Sequence, residues 1–206
     1  MEIIKADKKN IDKIITALGN GAVLVCPTDT VYGFLADATN KKSVDKIYNI
    51  KERPMSKPLP IFIKDLKMAK ELAHISPSKE KILDKKWPGG FTFVFKRKKG
   101  IKLYGVDKDT IALRIPNYKF LNDLIEKIDK PLVQTSVNIS GEPSLTDIKE
   151  IIKQFIIQKN QPDLIIDAGD LSRRQRRRGS SKKSEQKNKP SKIIDLSSGG
   201  ERVLRY

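Results

Sequence analysis

At 206 residues, with 42 Lys or Arg against 25 Asp or Glu, the chain is long enough for one sizeable core and carries a formal net charge of +17. That excess favours a polyanionic partner or substrate over a neutral or cationic one. A single cysteine and a single histidine exclude an intrachain disulfide and argue against a zinc site or a His-based triad, so the chemistry must run on charge and hydroxyls.

The opening MEIIKADKKN lacks the apolar stretch of a secretory leader, and no run approaches the roughly 18 apolar residues that span a bilayer, which predicts a cytoplasmic protein with no membrane partner. A strand is expected over 2–6 and a helix over 8–18, stopped by Gly19-Asn20-Gly21. The next strand, 22–27, contains the apolar run AVLVC, where Cys26 reads as a packed thiol. PTDTVYG, residues 27–33, follows it directly. Loops at strand ends of α/β sheets collect ligands, and Thr28, Asp29, Thr30 and Tyr32 offer hydroxyls and a carboxylate there; a capped turn uses the same residues equally well.

A helix over 43–52 runs into KERPMSKPLP, residues 51–60, with Pro54 marking its end. Lys51, Arg53 and Lys57 stand close together on a backbone stiffened by three prolines, and on an irregular stretch Lys51 and Arg53 can project to one side. A solvated basic loop gains little from rigidity, whereas a cradle for phosphate charge gains preorganisation. A strand at 59–63 and helices at 66–73 and 79–86 come next, then strands at 91–96 and 110–115. In the last of these, TIALRIP, Arg114 sits among apolar residues and must find an anion: a bound carboxylate or a structural ion pair.

A helix over 118–128 precedes a strand at 132–135 and the loop QTSVNISGEPSLTD, where Ser136, Asn138, Ser140 and Ser144 surround a glycine with short polar groups suited to phosphate, ribose or base. It is not a Walker loop, and an ordinary Ser/Asn/Gly loop is the plain alternative. Thr146-Asp147 caps a helix at 147–158, and a strand at 164–167 follows. Residues 171–189 lack an apolar period, and the stretch from 173 to 189 carries nine Lys or Arg against one Glu, which predicts a flexible basic insert. Strands at 192–196 and 202–205, joined by SSGGE, read as a hairpin that returns to the folded body. Apolar β-branched runs alternating with helical segments give an α/β sheet with packed helices.

PTDTVYG, KERPMSKPLP, PGGFTFVF, IALRIP, TSVNISGEPS and PSKIIDL, in this order and spacing, resemble the YrdC/TsaC family of threonylcarbamoyl-AMP synthases, across residues 21–206 apart from the basic insert. The resemblance implies a twisted open mixed β-sheet with flanking helices around a large basic concave cavity, formed by 1–170 and 190–206 as a single catalytic domain. It implies synthesis of threonylcarbamoyl-AMP from L-threonine, bicarbonate or CO2, and ATP, with Mg2+ bound mainly through ATP. The product would serve threonylcarbamoyladenosine modification of tRNA by a transferase complex. Partners would be those substrates, that complex, and tRNA or other RNA, double-stranded RNA included.

Residue by residue, the resemblance places Lys51, Arg53, Ser136 and Asn138 in catalysis. Arg53, Lys57, Thr110, Ser136, Ser144 and Arg205 would hold ATP, and Thr30, Arg114 and Ser191 would hold threonine. Three departures stand out: Lys192 replaces a usual threonine after Ser191, Gly90 replaces a usual proline, and the basic insert replaces a short connection. A non-catalytic RNA-binding module of the same fold is the alternative; with aromatics at 6% and none interleaved with the basic run, it explains the insert better than the Lys-Arg-Pro loop.

Overall fold

A computed structural model describes residues 1–172 and 190–205 of the chain. Among these residues ten strands form one mixed sheet, in the order β1-β8-β2-β3-β7-β4-β6-β5-β9-β10. They are β1 Glu2–Lys5, β2 Leu24–Cys26, β3 Gly33–Asp37, β4 Ile61–Phe62, β5 Phe91–Lys96, β6 Thr110–Arg114, β7 Leu132–Ser136, β8 Leu164–Asp167, β9 Lys192–Asp195 and β10 Arg202–Arg205. Helices α1 Ile11–Gly19, α2 Lys41–Lys51, α3 Leu66–Leu72, α4 Pro77–Leu83, α5 Lys119–Ile128 and α6 Ile148–Phe155 flank the sheet. The expected hairpin near the C-terminus is the antiparallel β9–β10 pair, and β9 joins the sheet in parallel beside β5.

The expected elements shift in instructive ways. The first helix begins as a 3-10 turn, Lys8–Asn10, capped by Asp7, before α1 takes over. Strand 59–63 shortens to two residues, and the helices expected at 79–86 and 147–158 end at Leu83 and Phe155. Strand β3 was not foreseen: all five of its residues are buried, so it lacks the apolar–polar alternation that betrays a half-exposed strand. PTDTVYG is consequently the connection between two antiparallel neighbours, β2 and β3.

Side chains alternate across the sheet and build two apolar layers. On one face, Leu24, Leu35, Phe62 and Leu132 pack with Ile14 and Leu18 of α1 and with Leu121, Leu124 and Ile125 of α5; buried Cys26 lies here. On the other, Phe34, Ile61, Val133, Phe93 and Phe95 pack with Val44 and Ile47 of α2 and with Ile151 and Phe155 of α6. Phe34 meets Phe155 edge to face at 5.3 Å.

This layering positions the site. In β5, β6 and β9 the core takes Phe93, Phe95, Ile111, Leu113 and Ile194, which turns Val94, Ala112 and Ile193 to the face that carries α1 and α5. These three residues instead floor a cavity of about 350 Å3.

Candidate active site

Two loops supply the cavity's cationic wall. Helix α2 is capped by the Asn40 side chain at its start and ends where Glu52 turns left-handed, with φ 50°. Lys51 is therefore the last helical residue rather than part of an extended stretch, and it points inward, only 2% exposed. Its Nζ donates to the Ser136 carbonyl at 2.6 Å, the Asn138 carbonyl at 2.9 Å and Asn138 Oδ1 at 2.9 Å. An ammonium has three donors, and all three are spent on uncharged oxygens. Burial, with repulsion from Arg53 second, pushes Lys51 down from the ordinary 10.5 to about 7. The oxygen cage opposes that by favouring the protonated form.

The partner loop is tied internally as well. Ser136 Oγ donates to Asn138 Oδ1 at 2.7 Å, and Asn138 Nδ2 donates to the carbonyls of Ile139 at 2.8 Å and Glu142 at 2.7 Å. The Ser140 amide closes the link by donating to the Lys51 carbonyl at 2.8 Å.

Arg53 folds back over the proline-rich loop, donating through Nε to the Lys57 carbonyl at 3.1 Å and through Nη2 to the Pro58 carbonyl at 3.2 Å. Tyr48 of α2 braces the same loop, its hydroxyl donating to the Lys57 carbonyl at 3.0 Å. Since a guanidinium carries five N–H groups, Arg53 keeps three donors uncommitted among the described residues. Burial lowers its pKa.

The C-terminal hairpin completes the wall. Ser191, 3% exposed, shares a hydrogen bond with Thr92 at 2.8 Å, and Arg205 donates to the Ser191 carbonyl through Nε at 3.0 Å and Nη2 at 2.7 Å. Arg205 is exposed as a residue, but local desolvation of its guanidinium, then the nearby charges of Arg114 and Arg53, lower its pKa. Cations from three separate segments thus lie close enough to repel one another.

The opposite corner is built differently. Arg114, 1% exposed, donates through Nη2 to Asp29 Oδ1 at 2.6 Å, through Nε to the Gly89 carbonyl at 2.9 Å and through Nη1 to Thr30 Oγ1 at 3.4 Å, while its guanidinium lies 5.5 Å from the Phe62 ring. The other Asp29 oxygen accepts from the Asn117 amide at 3.1 Å. Only glycine fits at 89, because a Cβ there would come within 2.7 Å of the Lys86 carbonyl. Thr30, held 3.0 Å from Thr28 Oγ1, stands between Arg114 and the cavity.

Of the residues expected to form the site, Thr30, Lys51, Arg53 and Thr110 line this cavity, as do Ser136, Asn138, Ser191 and Arg205. Arg114 stands behind Thr30 rather than in the lining. Lys57 is exposed and Ser144 half-buried, both outside the lining; what Lys57 gives the wall is its carbonyl. Lys192 alternates away, since Ser191, just before β9, and Ile193 within it face the cavity. The basic insert from 173 to 189 falls outside the described residues.

Sequence reasoning missed Gln134, from β7, and Asp107, the one carboxylate in the lining among the described residues. Asp107 Oδ1 accepts from the Asp109 and Thr110 amides, both at 2.9 Å, and from Thr110 Oγ1 at 3.0 Å; these bonds, the Asp109 amide foremost, hold its pKa below the usual range. The signal was the Asp three residues before a strand threonine, an Asx-turn pattern.

Known proteins resemble this chain in sequence and in fold. A protein of Methanocaldococcus jannaschii, provisionally named a threonylcarbamoyl-AMP synthase, is 39% identical over 162 residues, covering 79% of this chain and 75% of that one. The threonylcarbamoyl-AMP synthase of Pseudoalteromonas translucida is 35% identical over 159 residues, covering 74% and 84%. Two solved structures of Pyrococcus abyssi Sua5, one a variant and the other complexed with L-threonine, superpose with TM-scores of 0.83 and 0.78 at 27% and 26% identity. They cover 98% and 99% of this chain, which spans 59% and 56% of those longer proteins. The Sua5/YciO/YrdC family model, described as telomere recombination, matches residues 16–178, and the chain belongs to that family.

Proposed function

We propose that the chain is a threonylcarbamoyl-AMP synthase, joining L-threonine, bicarbonate or CO2, and ATP with release of pyrophosphate. The observation that carries this is the convergence of Lys51, Arg53 and Arg205 with Ser136 and Asn138 around one cavity, facing Thr30 and the Arg114 behind it. In the reaction, the carboxylated threonine nitrogen becomes a carbamate whose oxygen attacks the α-phosphorus while the bond to pyrophosphate breaks. Both reactants are anions, so fixed positive charge lowers the cost of their approach and of the charge that builds on the leaving oxygens. Arg53, with donors to spare, faces the phosphates; Lys51 acts through its field and by holding the Ser136–Asn138 loop in shape. Arg114 and Thr30 take the threonine end, and Thr110 and Arg205 the nucleotide.

Mg2+ belongs to this reading as a screen for the triphosphate charge. No group of three or more His, Cys, Asp or Glu suited to a metal exists among the described residues, and the lining offers hydroxyls, carbonyls and the single carboxylate of Asp107. That donor set fits a cation held through triphosphate oxygens and water. The reading takes 1–170 and 190–206 as one catalytic domain interrupted by the basic segment, supported by β9 hydrogen-bonded beside β5. It also puts the enzyme in the cytoplasm, supplying a tRNA-modifying complex; no described helix is long and apolar enough to cross a membrane. A non-catalytic RNA-binding module of this fold needs neither a buried caged lysine nor an enclosed hydroxyl-lined cavity.

The test is incubation with ATP, labelled threonine and bicarbonate. Pyrophosphate and threonylcarbamoyl-AMP should form only when all three are present. Arg53→Ala should abolish both while leaving the circular dichroism spectrum unchanged; wild-type turnover in that variant would overturn the assignment.

A further inference from the structure

Among the described residues the cavity lining holds two buried carboxamides, and they differ in what they touch. Asn138 commits its Oδ1 and Nδ2 to Lys51, Ser136, Ile139 and Glu142. Gln134 is 8% exposed, and its Oε1 and Nε2 meet no hydrogen-bond partner among the described residues. A buried amide left unpaired costs free energy, so the site favours a ligand that satisfies both of its ends. The backbone beneath it is fixed: the Gln134 amide donates to the Pro60 carbonyl at 2.8 Å, and β7 is paired with β3 on one side and β4 on the other. The register then places the side chain. Leu132 of β7, Phe62 of β4 and Arg114 of β6 stand opposite one another across three strands. Side chains on one face of a strand recur at every second residue, about 7 Å apart. Gln134 is therefore one step along β7 from the row that holds Arg114, and Ser136 is one step further. Those rows are the ends of the cavity proposed for threonine and for the phosphates, and Gln134 stands where their reacting atoms would meet.

The chemistry of a carboxamide narrows what it can hold. It presents an acceptor and, beside it, a donor. Ionised phosphate and carboxylate oxygens only accept and an ammonium only donates, so each leaves one end of Gln134 unpaired. A carbamate offers both: its N–H lies on the same side of the C–N bond as one of its oxygens, and that pair matches a carboxamide through two parallel hydrogen bonds. Bicarbonate carries the same pair in its O–H and an oxygen beside it, so the one-carbon fragment fits before and after its bond to nitrogen forms. We propose that Gln134 holds the carbamate of the reacting amino acid, with Oε1 accepting from the carbamate N–H and Nε2 donating to the neighbouring oxygen. That carbamate arises when the neutral amine nitrogen bonds to CO2 and gives up one proton to solvent. Its second oxygen stays free to bond to the α-phosphorus as the bond to pyrophosphate breaks. Being neutral, Gln134 orients this anion without cancelling the positive field of Lys51 and Arg53. The assignment rests on the proposed function, to which it adds the seat of the one-carbon fragment.

The experiment uses the full chain and varies bicarbonate at fixed threonine and ATP. Gln134→Met keeps the volume and removes both polar atoms, so the KM for bicarbonate should rise about tenfold to a hundredfold, the worth of hydrogen bonds to a charged group. Gln134→Glu has the same shape and sets a negative charge against the carbamate, so at pH 8 its KM for bicarbonate should exceed that of Gln134→Met. A second readout needs no turnover. Calorimetry without nucleotide should show bicarbonate tightening threonine binding in wild type and in neither variant, while threonine affinity in bicarbonate-free buffer stays within twofold throughout. Equal bicarbonate dependence in wild type and both variants would overturn the assignment. So would weaker threonine binding in bicarbonate-free buffer with the bicarbonate dependence unmoved, which would make Gln134 a ligand of the free amino acid. Wild type that makes no threonylcarbamoyl-AMP would remove the proposed function and this assignment together, whereas normal synthesis by both variants at low bicarbonate would remove this assignment alone.

Discussion

Two buried cations flank the cavity, and they are stabilised in opposite ways. Arg114 has a carboxylate, Asp29, at 2.6 Å, so its charge is compensated before any ligand arrives. Among the described residues Lys51 has only the oxygens of Ser136 and Asn138, which satisfy its hydrogen bonds and leave its charge uncancelled. Arg53 repeats the Lys51 pattern, its partners among the described residues being the carbonyls of Lys57 and Pro58. The unneutralised field is therefore concentrated on the wall proposed to hold the triphosphate, while the corner proposed for threonine holds a rigid but balanced ion pair. Placing a carboxylate beside Lys51 would cost the cavity the field it needs for phosphate.

Removing Lys51 should break this contrast most severely. Lys51→Met keeps the volume but strands the Ser136 and Asn138 oxygens in a buried site, which costs about 3 kcal/mol of stability and loosens the loop that carries Ser136. Activity should fall by at least a thousandfold, read well below the lowered Tm. Wild-type turnover there would show that the caged cation is only structural. The pH dependence sharpens the point. Since the folded value of about 7 lies below the ordinary 10.5, the unfolded chain binds this proton more readily, and Lys51's contribution to stability is full above pH 10.5 and lost as pH falls toward 7. Triphosphate beside Lys51 raises its pKa again, so ATP binding at pH 8 should take up protons in wild type and not in Lys51→Met. Calorimetry in two buffers of different ionisation enthalpy measures this uptake.

Asp29→Asn tests the compensated corner. Arg114 would keep a hydrogen-bond partner but lose its counter-charge while still buried, costing about 3 kcal/mol. The freed guanidinium would also lose the anchor that fixes its direction. Threonine KM should rise about tenfold with ATP KM within twofold, and Asp29→Glu should recover part of the loss. An equal rise in both constants would mean that the pair holds the fold in general and not the threonine end.

The difference between the two corners also marks what could be read from the sequence. The cationic loop was legible because Pro54, Pro58 and Pro60, set between and beyond Lys51, Arg53 and Lys57, make little sense for a solvated surface, and the Ser136–Asn138 loop because its short polar residues follow a buried strand. The partner of Arg114 was not: Asp29 lies 85 residues away, and the sequence left a bound carboxylate and an internal ion pair equally open. Strand β3 stayed hidden for a related reason, since burial on both faces erases the alternation that periodicity relies on. The direction of Lys51 depended on where α2 stops, and Glu52 in the left-handed region, rather than Pro54 two residues on, makes that decision.

Lys57 offers the smallest expected effect. Its motif suggested a phosphate ligand, yet the side chain is exposed and outside the cavity lining, while its carbonyl accepts from Arg53 and Tyr48. Alanine keeps that carbonyl and the turn in which the Lys57 amide donates to the Pro54 carbonyl. Lys57→Ala should therefore change stability by less than about 0.5 kcal/mol, as exposed substitutions usually do. ATP KM should stay within twofold and rise no more steeply with salt than in wild type. A tenfold rise in ATP KM would show that the proline-rich loop closes over bound nucleotide and carries the ammonium to the phosphates, making the uncompensated wall larger than the two cations that line it on this loop.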